Sequence, residues 1–224
     1  MDHKIAVRVV LHSFGDRRIL TNITFECNTG EIIGLFGRNG TGKTTLFKIL
    51  FGILKPDQAE IYFDNRMIRY GEKISNFIGY HTQEIMLPRY TKTRDVISMY
   101  LPLAKQDKVF YSIGVPDMCN KRICDLSLGQ QRYLQLLLLL NLYHPFLILD
   151  EPFSMVEPFY KDLIKEKIFE YRQHKGFIIT DHYYRDVLDI CDRTHLLRDG
   201  ILIPIEKNSD LIDLGYLSGQ AILD

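Results

Sequence analysis

Between the apolar run "EIIGLF" and the stretch "LFKILFG" lies "GRNGTGKTT", Gly37 to Thr45. Gly37 through Thr44 match the pattern GxxxxGK[ST] in full. The preceding run reads as a buried strand ending in glycine. After the loop, Leu46, Ile49, Leu50 and Ile53 recur at helical spacing, with Gly52 as a stop signal. A strand, a glycine loop and a helix start in that order form a cradle for phosphate. Gly37, Arg38, Asn39, Gly40, Thr41 and Gly42 can wrap closely enough for several N–H groups to point at one phosphate. The helix N-terminus adds partial positive charge. Lys43 is expected to span β- and γ-phosphates, Thr44 to offer its hydroxyl to Mg²⁺, and Thr45 to bond a phosphate oxygen. The ligands implied by the loop are a polyphosphate and Mg²⁺.

A second stretch complements the first. "FLILDEP" joins four apolar residues to Asp150 and Glu151, two acids at the C-terminal end of a predicted strand. In doubly wound sheets that end is where ligands bind. Asp150 is expected to hold Mg²⁺, mostly through water, and Glu151 to polarise an attacking water. The plainer reading of the pair, a cap on the next helix, loses weight beside a full phosphate loop.

Strands alternate with helices along the rest of the chain. "IAVRVVLHSF", "ITFEC", "AEIYFD" and "FIGYHTQ" read as strands. "TRDVISMYLPLAKQDKVFYSIGV" reads as short helices interrupted at Pro102 and Gly114. A helix from about Gly129, the strand "FLILDE", a helix from about Pro158 to Gln173 and the strand "GFIITD" follow. Such alternation implies an α/β fold with a parallel sheet covered on both faces, with the helical middle as an insertion. "ILIPIEKNSDLIDLGYL" reads as only a short tail.

Composition removes other classes. The formal net charge is zero, so there is no basic footprint for nucleic acid, and none is expected as a partner. Cys27, Cys119, Cys124 and Cys191 form no CxxC pair, which fits a reducing compartment. No signal peptide is read at the start, since Met1 to Lys4 is polar. The run "YLQLLLLLNLYHPFLIL" contains Gln135, Asn141, His144 and Pro145. Its leucine core is far shorter than the ~20 residues a spanning helix needs. It reads as a buried helix, a turn at His144-Pro145 and a buried strand.

These motifs resemble those of the ATP-binding cassette (ABC) ATPases, the nucleotide-binding subunits of ABC transporters, over nearly the whole chain. The phosphate loop is followed in order by "YHTQE", "LSLGQQ", "LILDEP" and "TDH". "LSLGQQ" looks like the family signature, usually LSGGQ. The resemblance implies one domain, 1–224, with a P-loop NTPase (RecA-like) core at about 1–83 and 146–224. It also implies an N-terminal antiparallel β subdomain and a helical subdomain at about 84–145. Gln83 takes the place of the Q-loop glutamine, sensing γ-phosphate, Mg²⁺ or the attacking water. His182 takes that of the switch histidine, contacting the γ-phosphate. Phe14 aligns with the aromatic that stacks on adenine, although an edge-strand Phe can also simply pack in a core. In the family two such domains close head-to-tail, and Ser127, Leu128, Gly129 and Gln130 would face the nucleotide of a partner chain. Ser127 also suits an ordinary helix cap, and both roles use the same free N–H groups.

The pattern is not complete. Leu128 stands where the signature has its first glycine. "SMVEP" puts Glu157 where the D-loop has Asp. The expected role is an ATPase subunit on the cytoplasmic face of a membrane, working with a second nucleotide-binding subunit and separate transmembrane permease subunits. The alternatives are an ABC ATPase outside transport, disfavoured because the chain has neither tandem cassettes nor a long coiled coil, and a nucleotide-gated module without turnover, disfavoured by Glu151.

Overall fold

The computed structural model describes residues 2–69 and 74–217. The chain opens with an antiparallel sheet. Its central strand β1 (Lys4–Phe14) pairs with β2 (Arg17–Leu20), β3 (Phe25–Asn28) and β5 (Gln58–Phe63), and β5 pairs in turn with β6 (Arg66–Ile68). Gly15, at a φ of +57°, makes the tight return from β1 to β2.

A second sheet runs β11-β10-β4-β9-β8-β7. Its strands are β4 (Ile32–Phe36), β7 (Ile78–His81), β8 (Phe146–Asp150), β9 (Gly176–Thr180), β10 (Arg193–Arg198) and β11 (Ile201–Ile205). β7, β8, β9, β4 and β10 are parallel, while β11 returns antiparallel on β10. β4, β8 and β9 are buried at every residue, as parallel strands covered on both faces must be.

Helix α1 (Lys43–Phe51) lies between the two sheets. It buries Leu46, Phe47, Ile49 and Leu50 in one cluster with Val7 and Ile61 of the first sheet and Leu35 and Ile148 of the second. Each such side chain contributes roughly 1.5–3 kcal/mol through burial. Gly52, left-handed at φ +85°, ends the helix by donating its N–H to the carbonyls of Ile49 and Lys48.

Between β7 and β8 the chain forms α2 (Thr93–Tyr100), α3 (Leu103–Phe110) and α4 (Leu128–Leu140), as the sequence predicts. α2 stops before Pro102, which caps α3 instead of continuing the helix. α4 is buried along most of its length and packs on α5 (Pro158–Tyr171). Among the described residues no helix is long and apolar enough to cross a membrane.

The C-terminal stretch corrects the sequence reading. It is not a bare tail: Ile201–Ile205 form β11, and Asn208–Asp213 form α7, after the short α6 (Tyr184–Leu188). Leu211 of α7 is fully buried, which fixes the helix to the core. The strand β10 was also unread, because "RTHLLR" shows no alternation; its four central residues are all buried.

Candidate nucleotide site

β4 ends at Phe36 and the chain turns at once into the glycine loop. Gly37, Gly40 and Gly42 have φ values of +158°, +77° and +106°. A Cβ at Gly42 would lie 2.7 Å from Ile19, and one at Gly37 2.7 Å from the Thr41 hydroxyl. Gly42 thus packs closely on the Ile19 side chain of β2, and Gly37 on Thr41 and the Leu197 carbonyl of β10, so glycine suits both positions. Arg38, Asn39 and Gly40 form its exposed crest.

Lys43 opens α1 and folds back over this loop. Its Nζ donates to the main-chain carbonyls of Gly37 at 2.6 Å and Arg38 at 3.2 Å. Burial pulls its pKa below the usual lysine value, opposed by the charges of Asp150 and Glu151. A half-buried cation at a helix N-terminus, ringed by backbone, fits a polyphosphate. Thr44 is exposed and Thr45 half-buried on the first turn of α1.

Asp150, the last residue of β8, lies beside that turn. Its Oδ2 accepts from the Thr44 hydroxyl at 3.3 Å and from the Tyr80 hydroxyl at 2.8 Å. Burial raises the pKa of its carboxyl, and the Tyr80 hydrogen bond opposes that rise. A hydroxyl and a desolvated carboxylate side by side are hard oxygen donors of the kind Mg²⁺ takes. The donor set thus fits the ion that the sequence implies.

Glu151 is half-buried, with a left-handed backbone at φ +56°. Its N–H donates to the Thr180 carbonyl at 2.8 Å. Gln83 Nε2 donates to its Oε2 at 2.8 Å, and His182 Nε2 lies 3.0 Å from its Oε1. The ends of β7, β8 and β9 thus bring Gln83, Glu151 and His182, distant in sequence, into one cluster. Gln83, a candidate metal ligand, spends its amide nitrogen on Glu151 and not on Asp150.

Phe14 does not pack in the core. It is 54% exposed at the end of β1, edge-on to His12 with ring centroids 4.6 Å apart. The hairpin it belongs to touches the glycine loop through Ile19. An exposed aromatic at that place can stack on a flat ring.

Ser127, Leu128, Gly129 and Gln130 form a second group at the start of α4. Ser127 caps the helix: its Oγ accepts from the Gln130 N–H at 3.2 Å, and the Gln130 Oε1 accepts from the Ser127 N–H at 3.0 Å. Gln130 also donates to the Tyr160 hydroxyl at 3.1 Å, so its side chain is engaged within its own chain. Leu128 is half-buried and Ser127 exposed. At Gly129 a Cβ would lie 2.0 Å from Oε2 of the exposed Glu157 side chain of the same chain, which would have to move to admit it.

Several residues around the site escaped the sequence reading. Tyr80 orients Asp150. Asp181 is buried and accepts from the Phe153 N–H, the Ser154 hydroxyl and the Tyr183 N–H at 2.7, 2.9 and 3.0 Å, fixing the turn after Glu151. Its position at the end of an apolar strand was the available signal. Arg38 donates to the Gly215 carbonyl at 3.0 Å, and Tyr216 faces Phe36 at 5.6 Å, so residues after α7 pack on the glycine loop.

Comparison with known proteins agrees with this geometry. The ABC transporter family model matches residues 20–154, more than half of the chain. The chain is 31% identical over 221 residues to an ABC transporter ATP-binding protein of Methanocaldococcus jannaschii, covering 94% of this chain and 80% of that one. It is 27% identical over 226 residues to the lipopolysaccharide export system ATP-binding protein LptB of Acidithiobacillus ferridurans, covering 95% and 94%. Among solved structures, cbiO1 from Clostridium perfringens, part of the ABC transporter complex cbiONQ, matches with a TM-score of 0.79 at 26% identity, covering 91% and 88%. An ATP-binding subunit of an ABC transporter matches in fold with a TM-score of 0.82 at 19% identity, covering 95% and 93%. The chain belongs to the ABC transporter family, as one of its ATP-binding subunits.

Proposed function

We propose that this subunit hydrolyses ATP with Mg²⁺, in a site completed by the signature of a second nucleotide-binding chain, and that it works at the cytoplasmic face of a membrane with separate transmembrane permease subunits. The observation that carries the reading is the cluster at the strand ends. Lys43 and Thr44 open α1, Thr44 is 3.3 Å from Asp150, and Glu151 stands between Gln83 and His182.

In this reading Phe14 stacks on the adenine. Gly37 through Gly42 direct N–H groups at the phosphates, Lys43 bridges two of them, and Thr45 bonds a phosphate oxygen. Thr44 and Asp150 would hold Mg²⁺, with Gln83 as a further candidate ligand, and the ion would supply charge neutralisation of the phosphates. Glu151 polarises a water for attack, and His182 stabilises the phosphoryl group being transferred. Ser127, Leu128, Gly129 and Gln130 lie at the N-terminus of α4, whose free N–H groups and dipole suit the γ-phosphate of a partner's nucleotide. Ser127 keeps its hydroxyl hydrogen free to donate while it caps the helix. Gln130 contributes by holding Ser127 and Tyr160 in place. The segment from about 84 to 145 forms a helical lobe that contacts the permease.

The Glu151→Gln substitution tests the reading. The variant should bind ATP as the wild type does, lose most of its hydrolysis, and accumulate as an ATP-dependent dimer in size-exclusion chromatography. Wild-type turnover in Glu151→Gln would refute the assignment.

A further inference from the structure

α4 carries a cation that neither the glycine loop nor the signature uses. Arg132 lies five residues beyond Ser127 and is only 3% exposed. Its Nη1 donates to the main-chain carbonyl of Glu151, and its Nη2 to the main-chain carbonyl of Gln83 at 3.4 Å. One turn further along the same face, Gln135 accepts from the Met86 N–H at 3.0 Å and donates to the Thr82 carbonyl at 3.4 Å. One face of α4 therefore grips the segment 82–86 and the end of β8 together.

The grip bears on the carboxylate itself. Glu151 adopts a left-handed backbone, which a residue with a Cβ keeps only when its surroundings hold it there. Its N–H is fixed by Thr180 and its carbonyl by Arg132. Its side chain is fixed by Gln83, whose own carbonyl is the second acceptor of Arg132.

We propose that Arg132 is a positioning residue for Glu151, tying the main chain of the carboxylate to the helix whose N-terminus carries Ser127. The inference rests on the hydrolytic reading of Glu151. A guanidinium suits the task because its planar fork reaches two carbonyls at once, whereas a lysine ammonium is a single point donor. Any shift of α4 along its axis then tilts the left-handed peptide at Glu151 and moves the carboxylate.

Arg132→Met and Arg132→Lys, each in the wild-type and Glu151→Gln backgrounds, provide the test. Their ATP affinity is measured directly and their hydrolysis at steady state. Arg132→Met should lower kcat by about tenfold or more, with ATP affinity and KM within about twofold of wild type. Arg132→Lys should recover part of the loss. In the Glu151→Gln background the same Arg132→Met change should alter the residual rate by less than about twofold, because the group it positions is already gone. A residue that merely stabilises the fold would lower the rate by the same factor in both backgrounds. That result, or a wild-type kcat in Arg132→Met, overturns the proposal. If Arg132→Met does not fold, a wild-type kcat in Arg132→Lys overturns it instead. Wild-type turnover in Glu151→Gln would instead strike the hydrolytic reading, whereas a dead Glu151→Gln beside a fully active Arg132→Met strikes only the role of Arg132.

Discussion

The carboxylate of Glu157 rests against the α-carbon of Gly129, so closely that a Cβ there would lie 2.0 Å from Oε2. The residue that departs from the D-loop pattern thus sits on the signature glycine of its own chain. Gly129→Ala must displace Glu157 and should lower hydrolysis. Its stability should change little, since removing a helical glycine gains up to about 1 kcal/mol against the cost of moving a flexible side chain. If the glycine serves only to admit Glu157, the Glu157→Ala background should tolerate Gly129→Ala with no further loss of rate. A further loss in that background would mean that a second molecule also approaches Gly129.

Phe14 is exposed, so its role separates cleanly from stability. Phe14→Ala should weaken ATP binding by about 1 kcal/mol through lost stacking, and leave the unfolding midpoint unchanged. Titration with a fluorescent nucleotide, alongside a melt, checks both. Unaltered affinity would remove Phe14 from the site.

Lys43→Ala should weaken ATP binding more severely than Phe14→Ala, because the phosphates lose the cation of the loop. It should leave the start of α4 intact, since Ser127 and Gln130 bond to each other and to Tyr160. Direct nucleotide binding by the purified variant measures this. Wild-type affinity would show that the loop backbone alone holds the phosphates.

The buried histidines predict an acid limb in stability. Burial lowers the folded pKa of His81 to about 4 from an ordinary value of 6.5. Between those values the unfolded chain binds a proton that the folded chain does not. The stabilisation is therefore complete above pH 6.5 and is lost as pH falls toward 4, on the order of 3 kcal/mol from this residue. Denaturant unfolding from pH 7.5 to 4.5 should show the decline, and His81→Leu should flatten it. The slope should not vanish, because burial also lowers the pKa of His144 and His195.

How much of this was legible in the sequence depended on whether a residue's signal was local. The glycine loop, the helix of Leu46 and Ile49, and the strand ending at Asp150 carry their patterns within a few neighbours, and each forms where the spacing predicts. The resemblance supplied Gln83 and His182, which lie far from Glu151 in sequence yet bond to it. Tyr80 and Arg132 were not read, because their partners are set by strand register and helix face, which need the assembled sheet. Leu211 was missed because the mostly apolar run from Leu211 to Leu217 is too short to mark an element until the surface that buries it exists. Phe14 carried two readings, a stacking aromatic and a core residue; the strand ends there and leaves the ring outside, which removes the second.

The central claim is that each nucleotide is hydrolysed between two chains, and Ser127→Arg tests it most directly. Ser127 is exposed at the start of α4, so a long cation there should block an approaching partner without disturbing the glycine loop of the same chain. The measurement is steady-state ATP hydrolysis by purified Ser127→Arg, with ATP affinity determined on the same sample. The account predicts wild-type affinity with hydrolysis reduced by about a hundredfold or more, and partial recovery on mixing with Lys43→Ala, which pairs one sound loop with one sound signature. Wild-type hydrolysis by Ser127→Arg alone would contradict it, leaving Ser127 as a helix cap and the site as the property of a single chain.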